Sequence, residues 1–246
     1  MNSTNRHNSV DYKKDVARKQ AAYAAVDEHL QNCQTIGIGS GRTMVHVIDR
    51  ISELIRQRGW SVRCIPTSYQ AKQLILERGL RLFELEHCDE ELDWSADSAD
   101  EIDAELNMIK GGGGCLLQEK IVDTAAGTLV IVCDESKYSS QFGQKWKGGI
   151  PLEVVPMAWS LVKRRVESQF GGKALLRESL GKLGPVVTDN GNFLLDWHFE
   201  QQHSWEEVDF QLHQMPGVIE TGLFIQAASK IYVGKLDGSV SRLVLK

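Results

Sequence analysis

The first segment able to do chemistry is one that could hold an anion. Gly37-Ile38-Gly39-Ser40-Gly41-Arg42-Thr43 lies between a short apolar run and an amphipathic one. A glycine-rich turn entering a helix leaves backbone N–H groups without helical acceptors, and the helix dipole favours negative charge beside them. Ser40 and Thr43 add hydroxyl donors, so a phosphate site is one reading. A plain tight turn is the other, because the glycine spacing is not that of dinucleotide folds and the Walker lysine is missing. Thr67-Ser68 opens a later helix, either as its N-cap or as a second contact to the same ligand.

Carboxylates come next. Asp97, Asp100, Glu101 and Asp103 follow an apolar run, and such a cluster reads as a solvated acidic turn, as an acid and base pair, or as a metal site. Lys110-Gly111-Gly112-Gly113-Gly114 is less ordinary. Four successive glycines lose much backbone entropy on folding, so an ordered chain keeps them where backbone passes very close to something; a flexible linker is the competing reading. Glu119-Lys120 lies in the following helix and, taken alone, is a surface pair. Asp134-Glu135-Ser136-Lys137 ends the most apolar strand candidate, where Lys137 either reaches a phosphate or carboxylate or is simply solvated. The seven histidines, among them His46, His87 and His198, show no metal-ligand spacing, and no metal site is assigned. Cys115 has no neighbouring base and reads as a packed thiol.

The elements that must position these residues follow a regular rhythm. Ala17 to Leu30 predicts a helix and Thr35 to Gly39 a strand. Met44, Val47, Ile48, Ile51, Leu54 and Ile55 recur at helical spacing and build one buried stripe, closed by Gly59. Val62–Ile65 predicts a strand, Ser68 to Arg78 a helix, Leu80 to Leu85 a strand, Leu92–Ala96 another, Leu116–Ala126 a helix and Leu129–Cys133 a strand. Strands separated by single helices imply a Rossmann-like parallel sheet with helices on both faces, binding ligands beyond the carboxyl ends of its strands. After Gly149 the pattern changes. Glu153–Pro156 predicts a strand, Ala158–Phe170 a helix, and Val186–Thr188 with Phe193–Trp197 a hairpin around Asn190-Gly191. The capping box Ser204-Trp205-Glu206-Glu207 opens a helix to Met215, and Val218-Ile219 adds a last strand, giving a small α+β domain of split βαβ type. Lys230–Val233 then returns as a strand before an Asp237-Gly238 turn. The expected domains are 1–149 with 221–246, and 150–220.

Composition bounds what this architecture can serve. The 246 residues are 42% hydrophobic and 25% charged, which excludes disorder, collagen and coiled coil. Lys and Arg number 28 against 33 Asp and Glu, a net charge of -5, so no global positive field exists for nucleic acid or an anionic membrane. No apolar run approaches the ~20 residues of a membrane span, and five widely spaced cysteines without a C-x-x-C pair suit a reduced, cytoplasmic chain. Residues 1 to about 12 read as a polar tail.

In order along the chain, Gly39-Ser40-Gly41-Arg42-Thr43, Asp97-Ser98-Ala99-Asp100-Glu101, Lys110 to Gly114 through Glu119-Lys120, and Asp134-Glu135-Ser136-Lys137 resemble the type A ribose-5-phosphate isomerase family. The resemblance extends to Glu153–Met157, Val187–Asn192, Pro216–Val218 and Gly222–Phe224, and the Gln144–Gly149 insertion is similar to eukaryotic members. It implies a pentose phosphate pathway enzyme interconverting D-ribose 5-phosphate and D-ribulose 5-phosphate through an enediolate, without metal or organic cofactor. It also implies that Glu119 is the base, that Asp97 assists ring opening and proton transfer at the oxygens, and that Lys110 with the glycine N–H groups stabilises the enediolate. Asp100 would hold hydroxyls or orient Lys110. The phosphate would sit on Ser40, Gly41, Arg42 and Thr43 near Lys137 and Lys13, with Ser98, Ala99, Gly111, Gly112 and Gly113 completing the substrate contacts. A homodimer or homotetramer is the implied assembly.

Two residues depart from the family pattern. Arg42 replaces a small hydroxyl residue, and Ser98 replaces a glycine. If that glycine requires positive φ, Ser98 costs roughly 1 kcal/mol. Arg42 either adds a bidentate phosphate contact or crowds the loop. Built on these departures, the alternative expectation is a catalytically impaired sugar-phosphate sensor; a lactonase or deaminase on the same type of fold is a third.

Overall fold

A single helix between consecutive strands returns the chain in the same direction, so the alternation in the first half builds parallel neighbours. A computed structural model describes the backbone of residues 3–244 and the side chains of residues 11–244. It begins with α1 (Ser3–His29), β1 (Thr35–Ile38), α2 (Arg42–Arg58), β2 (Arg63–Pro66), α3 (Tyr69–Glu77), β3 (Arg81–Leu82) and β4 (Trp94–Asp97). There follow β5 (Glu101–Ile102), β6 (Met108–Ile109), α4 (Leu116–Thr124), β7 (Leu129–Asp134), β8 (Ile150–Val154), α5 (Trp159–Phe170) and β9 (Lys173–Leu176). The order ends with β10 (Phe193–His198), α6 (Trp205–His213), β11 (Val218–Thr221), β12 (Leu223–Phe224), β13 (Lys230–Gly234) and β14 (Val240–Val244). Packing divides the chain into one unit of residues up to 99, 121–137 and from 228 onward, and another of 100–120 and 138–227.

The first unit holds a seven-stranded sheet in the order β14-β13-β7-β4-β1-β2-β3. Only β14 runs antiparallel to its neighbour. Ile36 and Ile38 of β1 share one core with Ala21, Ala25 and Val26 of α1, the predicted stripe of α2, and Ala71 and Ile75 of α3. Ile65 of β2 instead packs with Leu92 and with Val122 of α4. Helices therefore cover both faces, the Rossmann-like arrangement the sequence predicts. The strand order reverses between β1 and β4: β2 and β3 lie to one side, β7 and β13 to the other. Loops leaving a reversal point diverge, and the crevice they leave beyond the carboxyl ends is where such sheets bind ligands. Here those loops are Gly39–Gly41 and Ser98-Ala99.

The second unit is built on a four-stranded antiparallel sheet, β11-β8-β10-β9, and a three-stranded one, β12-β6-β5. Its core joins Ile150, Leu152 and Val154 of β8 to Val162 and Val166 of α5, Trp197 of β10 and Leu212 of α6. The order β8-α5-β9-β10-α6-β11 is the split βαβ pattern of the smaller domain.

Several local expectations are corrected. Val186–Thr188 is not a strand, although the Asn-Gly turn forms, with Gly191 at φ +78° and its N–H on the Thr188 carbonyl at 2.9 Å. Gly171 and Gly172, both at positive φ, turn the chain from α5 straight into β9, which pairs with β10 in place of the expected partner. Thr188 turns instead to the buried Glu153 carboxylate, which accepts its hydroxyl at 2.8 Å and the Asn192 amide at 2.9 Å. Helix α1 begins at Ser3, so the segment read as a tail is helical from there; residues 1–2 lie outside the described residues. Ser204 caps α6 without a side-chain hydrogen bond, so the predicted capping box is not made. The packing also assigns residues 100–120, 138–149 and 221–227 to the second unit, where the sequence division placed them in the first. The reason is β12, which pairs with β6 and draws the segment around Lys110 with it.

Candidate active site

In the first unit, β1 delivers Gly39 alongside the end of β4. The Gly39 N–H bonds the Ala96 carbonyl at 2.8 Å, and a Cβ at Gly39 would lie 2.1 Å from Asp97 Oδ1, so only glycine lets the two loops approach this closely. Asp97 is fully buried. Its Oδ1 accepts the Ser98 N–H at 2.6 Å and the Ser40 N–H at 3.4 Å, which fixes a carboxylate at the mouth of the sheet. Ser40 Oγ donates to Ser68 Oγ at 2.6 Å and lies 3.2 Å from Thr67 Oγ1, while Ser68 also caps α3 by accepting the Ala71 N–H at 3.0 Å. Both readings of Thr67-Ser68 therefore have a physical counterpart. Gly41, at φ +99°, is the N-cap of α2. Its N–H is taken by Gln70 Oε1 at 2.8 Å. The Arg42 and Thr43 N–H groups stand at the first two helical positions, where no intrahelical acceptor is in reach and the dipole is positive.

The two departures are benign in this geometry. Ser98 does not adopt positive φ, and its hydroxyl donates to the Ser40 carbonyl at 3.3 Å. Arg42 is exposed at the start of α2, clear of crowding. Neither residue supports the sensor alternative.

In the second unit, β6 ends at Lys110, whose backbone N–H bonds the Gly222 carbonyl at 2.9 Å. The Lys110 side chain is buried, with Nζ 3.4 Å from Glu119 Oε2 and 5.3 Å from the centre of the Phe224 ring. Glu119 is also buried and occupies the first turn of α4, where the helix dipole attracts its charge. The surface reading of Glu119-Lys120 is thus corrected at both positions. Lys120 Nζ reaches Glu220 at 2.6 Å and the Thr221 and Leu223 carbonyls at 2.9 Å each, and lies over the Phe224 ring, 4.7 Å from its centre. Burial opposes the Glu220 charge, yet the His213 hydrogen bond and Lys120 hold that carboxyl down at about 2. Between Lys110 and α4 the glycines turn tightly, the Gly114 N–H closing on the Gly111 carbonyl at 2.9 Å. Asp100 is tied to this turn by the Gly112 N–H at 2.7 Å. A Cβ at Gly112 would meet Asp100 and Trp146 at 2.7 Å, whereas one at Gly113 would meet nothing within 4 Å.

The acidic cluster separates by role. Asp97 and Asp100 address the two glycine loops, while Glu101 accepts the Gly143 and Lys145 N–H groups at 2.6 Å each and Asp103 closes a turn on the Asn107 N–H at 2.8 Å. Asp134 pairs with Arg18 at 3.1 Å, and Lys137 ends the short turn after β7 with partial exposure. Gln70 and Arg177 had no sequence signal: each touches a loop through a contact far away along the chain. Among the described residues, no group of three or more His, Cys, Asp or Glu is placed to hold a metal, and no helix is long and apolar enough to cross a membrane.

Comparison with known proteins identifies the family and agrees with the fold. Residues 63–238 match the family model of ribose 5-phosphate isomerase A (phosphoriboisomerase A). The ribose-5-phosphate isomerase of Homo sapiens is 51% identical over 229 residues, covering 93% of this chain and 73% of that protein. A solved D-ribose-5-phosphate isomerase in complex with phospho-erythronic acid superposes with TM-score 0.87 at 37% identity, covering 93% of this chain and 97% of that one. The Methanocaldococcus jannaschii ribose 5-phosphate isomerase A gives 0.86 at 38% identity over 93% and 98%. With residues 63–238 matched by that family model and half of its residues shared with the human enzyme over 93% of its length, the chain belongs to the ribose 5-phosphate isomerase A family.

Proposed function

We propose that this protein interconverts ribose 5-phosphate and ribulose 5-phosphate with Glu119 as the base. The observation that carries the reading is the buried pair of Glu119 Oε2 and Lys110 Nζ at 3.4 Å, which brackets the glycine turn, Lys110 just before it and Glu119 in the helix after it. Aldose-ketose isomerisation needs a carboxylate to move a proton between carbons and fixed donors for the enediolate that forms between the two transfers. Glu119 takes the proton from C2 of the open-chain aldose, and charge develops on O1. Lys110 and the glycine N–H groups meet that charge in a water-poor setting, where preorganised donors are worth most. Glu119 then returns the proton to C1, while Asp97 carries the O2 proton to O1 and earlier assists ring opening. Asp100 holds hydroxyls of the substrate or orients Lys110.

Phosphate falls to the segment from Ser40 through Gly41 and Arg42 to Thr43, with the Arg42 and Thr43 N–H groups as donors and Lys137 adding charge. Ser98, Ala99, Gly111, Gly112 and Gly113 make up the remaining substrate contacts. A solved relative binds phospho-erythronic acid, whose phosphate matches the substrate's and whose carboxylate mimics the anionic oxygens of an enediolate. The chain acts as a homodimer or homotetramer in the cytoplasm; its five free thiols support the reducing compartment. Light scattering on the purified chain checks the assembly. For the reaction, ribose 5-phosphate is supplied in deuterium oxide: ketose is expected to form with solvent deuterium entering C1. No ketose from the parent enzyme would sink the proposal.

A further inference from the structure

Four consecutive glycines have no side chains by which the surrounding protein can hold them, so the orientation of their peptide planes must be set from the backbone atoms. Arg177 grips two of those carbonyls. It follows β9 directly and is largely buried, as is its partner Asp196 on β10. Arg177 Nε donates to Asp196 Oδ2 at 2.8 Å and Nη2 donates to Oδ1, a two-point pair that fixes the plane of the guanidinium. From that fixed plane Nη1 donates to the Gly111 carbonyl at 3.1 Å and the Gly112 carbonyl at 3.2 Å.

Each carbonyl belongs to a peptide whose N–H lies on the other side. The Gly111 carbonyl shares its peptide with the Gly112 N–H, which holds Asp100 Oδ2 at 2.7 Å. The Gly112 carbonyl shares its peptide with the Gly113 N–H, on the residue whose Cβ position is open. A cation on a carbonyl oxygen draws electron density across the amide and strengthens the N–H as a donor, while also fixing where it points. Lys could not substitute, since a single ammonium lacks the planar fork that reaches carboxylate and carbonyls together.

We propose that Arg177, locked by Asp196, is a positioning residue for the isomerisation: through two peptide groups it orients Asp100 and the Gly113 N–H. The proposal rests on the reading that this glycine turn faces the substrate. A residue acting through groups that meet the developing charge should alter turnover more than substrate binding.

The test is steady-state kinetics on Arg177→Met, Arg177→Lys, Arg177→Ala and Asp196→Asn, with Lys110→Ala as reference and thermal unfolding to confirm each fold. Arg177→Met is expected to lower kcat by about 10- to 100-fold with KM within about threefold, and Arg177→Lys to recover only part of it. Added methylguanidinium should raise kcat of Arg177→Ala at least about fivefold, and methylammonium should not. If Arg177→Met does not fold, Asp196→Asn, which releases the fixed plane but keeps the guanidinium, is expected to lower kcat in the same direction. A normal kcat in folded Arg177→Met and Asp196→Asn, beside an impaired Lys110→Ala, overturns the role of Arg177 alone. Normal turnover in all of them, Lys110→Ala included, overturns the reading of the glycine turn as well.

Discussion

Glu119 illustrates how one residue's chemistry depends on its position more than its type. A glutamate beside a lysine in an isolated helix is ordinary surface; placed in the first turn of α4, nearly buried and 3.4 Å from the Lys110 ammonium, it becomes a fixed carboxylate facing a fixed cation. Glu119→Gln preserves size and hydrogen bonding but cannot accept the proton, so turnover should fall at least ~10²-fold while the thermal midpoint stays within a few degrees. Rates near the parent's would assign the base elsewhere. The family departures belong to the same scale. Ser98 pays no left-handed strain and Arg42 points into solvent, so Ser98→Gly and Arg42→Ser should each change kcat/KM by less than ~30-fold, equivalent to about 2 kcal/mol. An inactive parent rescued by Ser98→Gly would contradict this.

At the scale of elements, the strongly periodic ones were legible and the short ones were not. The stripe from Met44 to Ile55 appears as α2, and the apolar run Leu129–Cys133 as the buried β7. Two-residue strands such as β5, β6 and β12 leave no period to detect, yet β12 decides which unit holds Lys110. The glycine turns were legible because their entropic cost demands a reason; Arg177 was not, because its partners lie 65 and 66 residues away. A tie between residues only seven apart pins β11 to α6. His213 Nε2 lies 2.8 Å from Glu220 Oε1, and this bond raises the His213 pKa above its ordinary value. A raised histidine contributes stability below its unfolded pKa and loses it as pH rises through the folded one. Glu220, held at about 2, contributes above the unfolded glutamate value and loses it as pH falls toward 2. The thermal midpoint of the parent should therefore exceed that of His213→Gln most clearly near pH 5.5, with the gap narrowing by pH 8.5. A gap independent of pH across that range would show that the imidazole is not charged in the pair.

For the whole molecule, the decisive quantity is how an anionic substrate stabilises a chain that itself carries a net charge of -5. No long-range field draws the ligand in, so its affinity must come from local donors: helix N-terminal N–H groups, a glycine turn and individual lysines. Each unit has a core of its own, and each is assembled from separate stretches of sequence. Binding to the native state alone adds RT ln(1 + [L]/Kd), about 2.7 kcal/mol at a hundredfold excess over Kd. At roughly 2–4 °C per kcal/mol for a chain of this size, the midpoint should rise by about 5–10 °C. Glu119→Gln is the protein to use, because it keeps the phosphate segment intact and turns the substrate over too slowly to deplete it. Ribose 5-phosphate should give the full shift, inorganic phosphate a smaller one and unphosphorylated ribose almost none at the same concentration. An equal shift with ribose would mean that the sugar ring alone provides the affinity, and the phosphate assignment to Ser40–Thr43 would have to be abandoned.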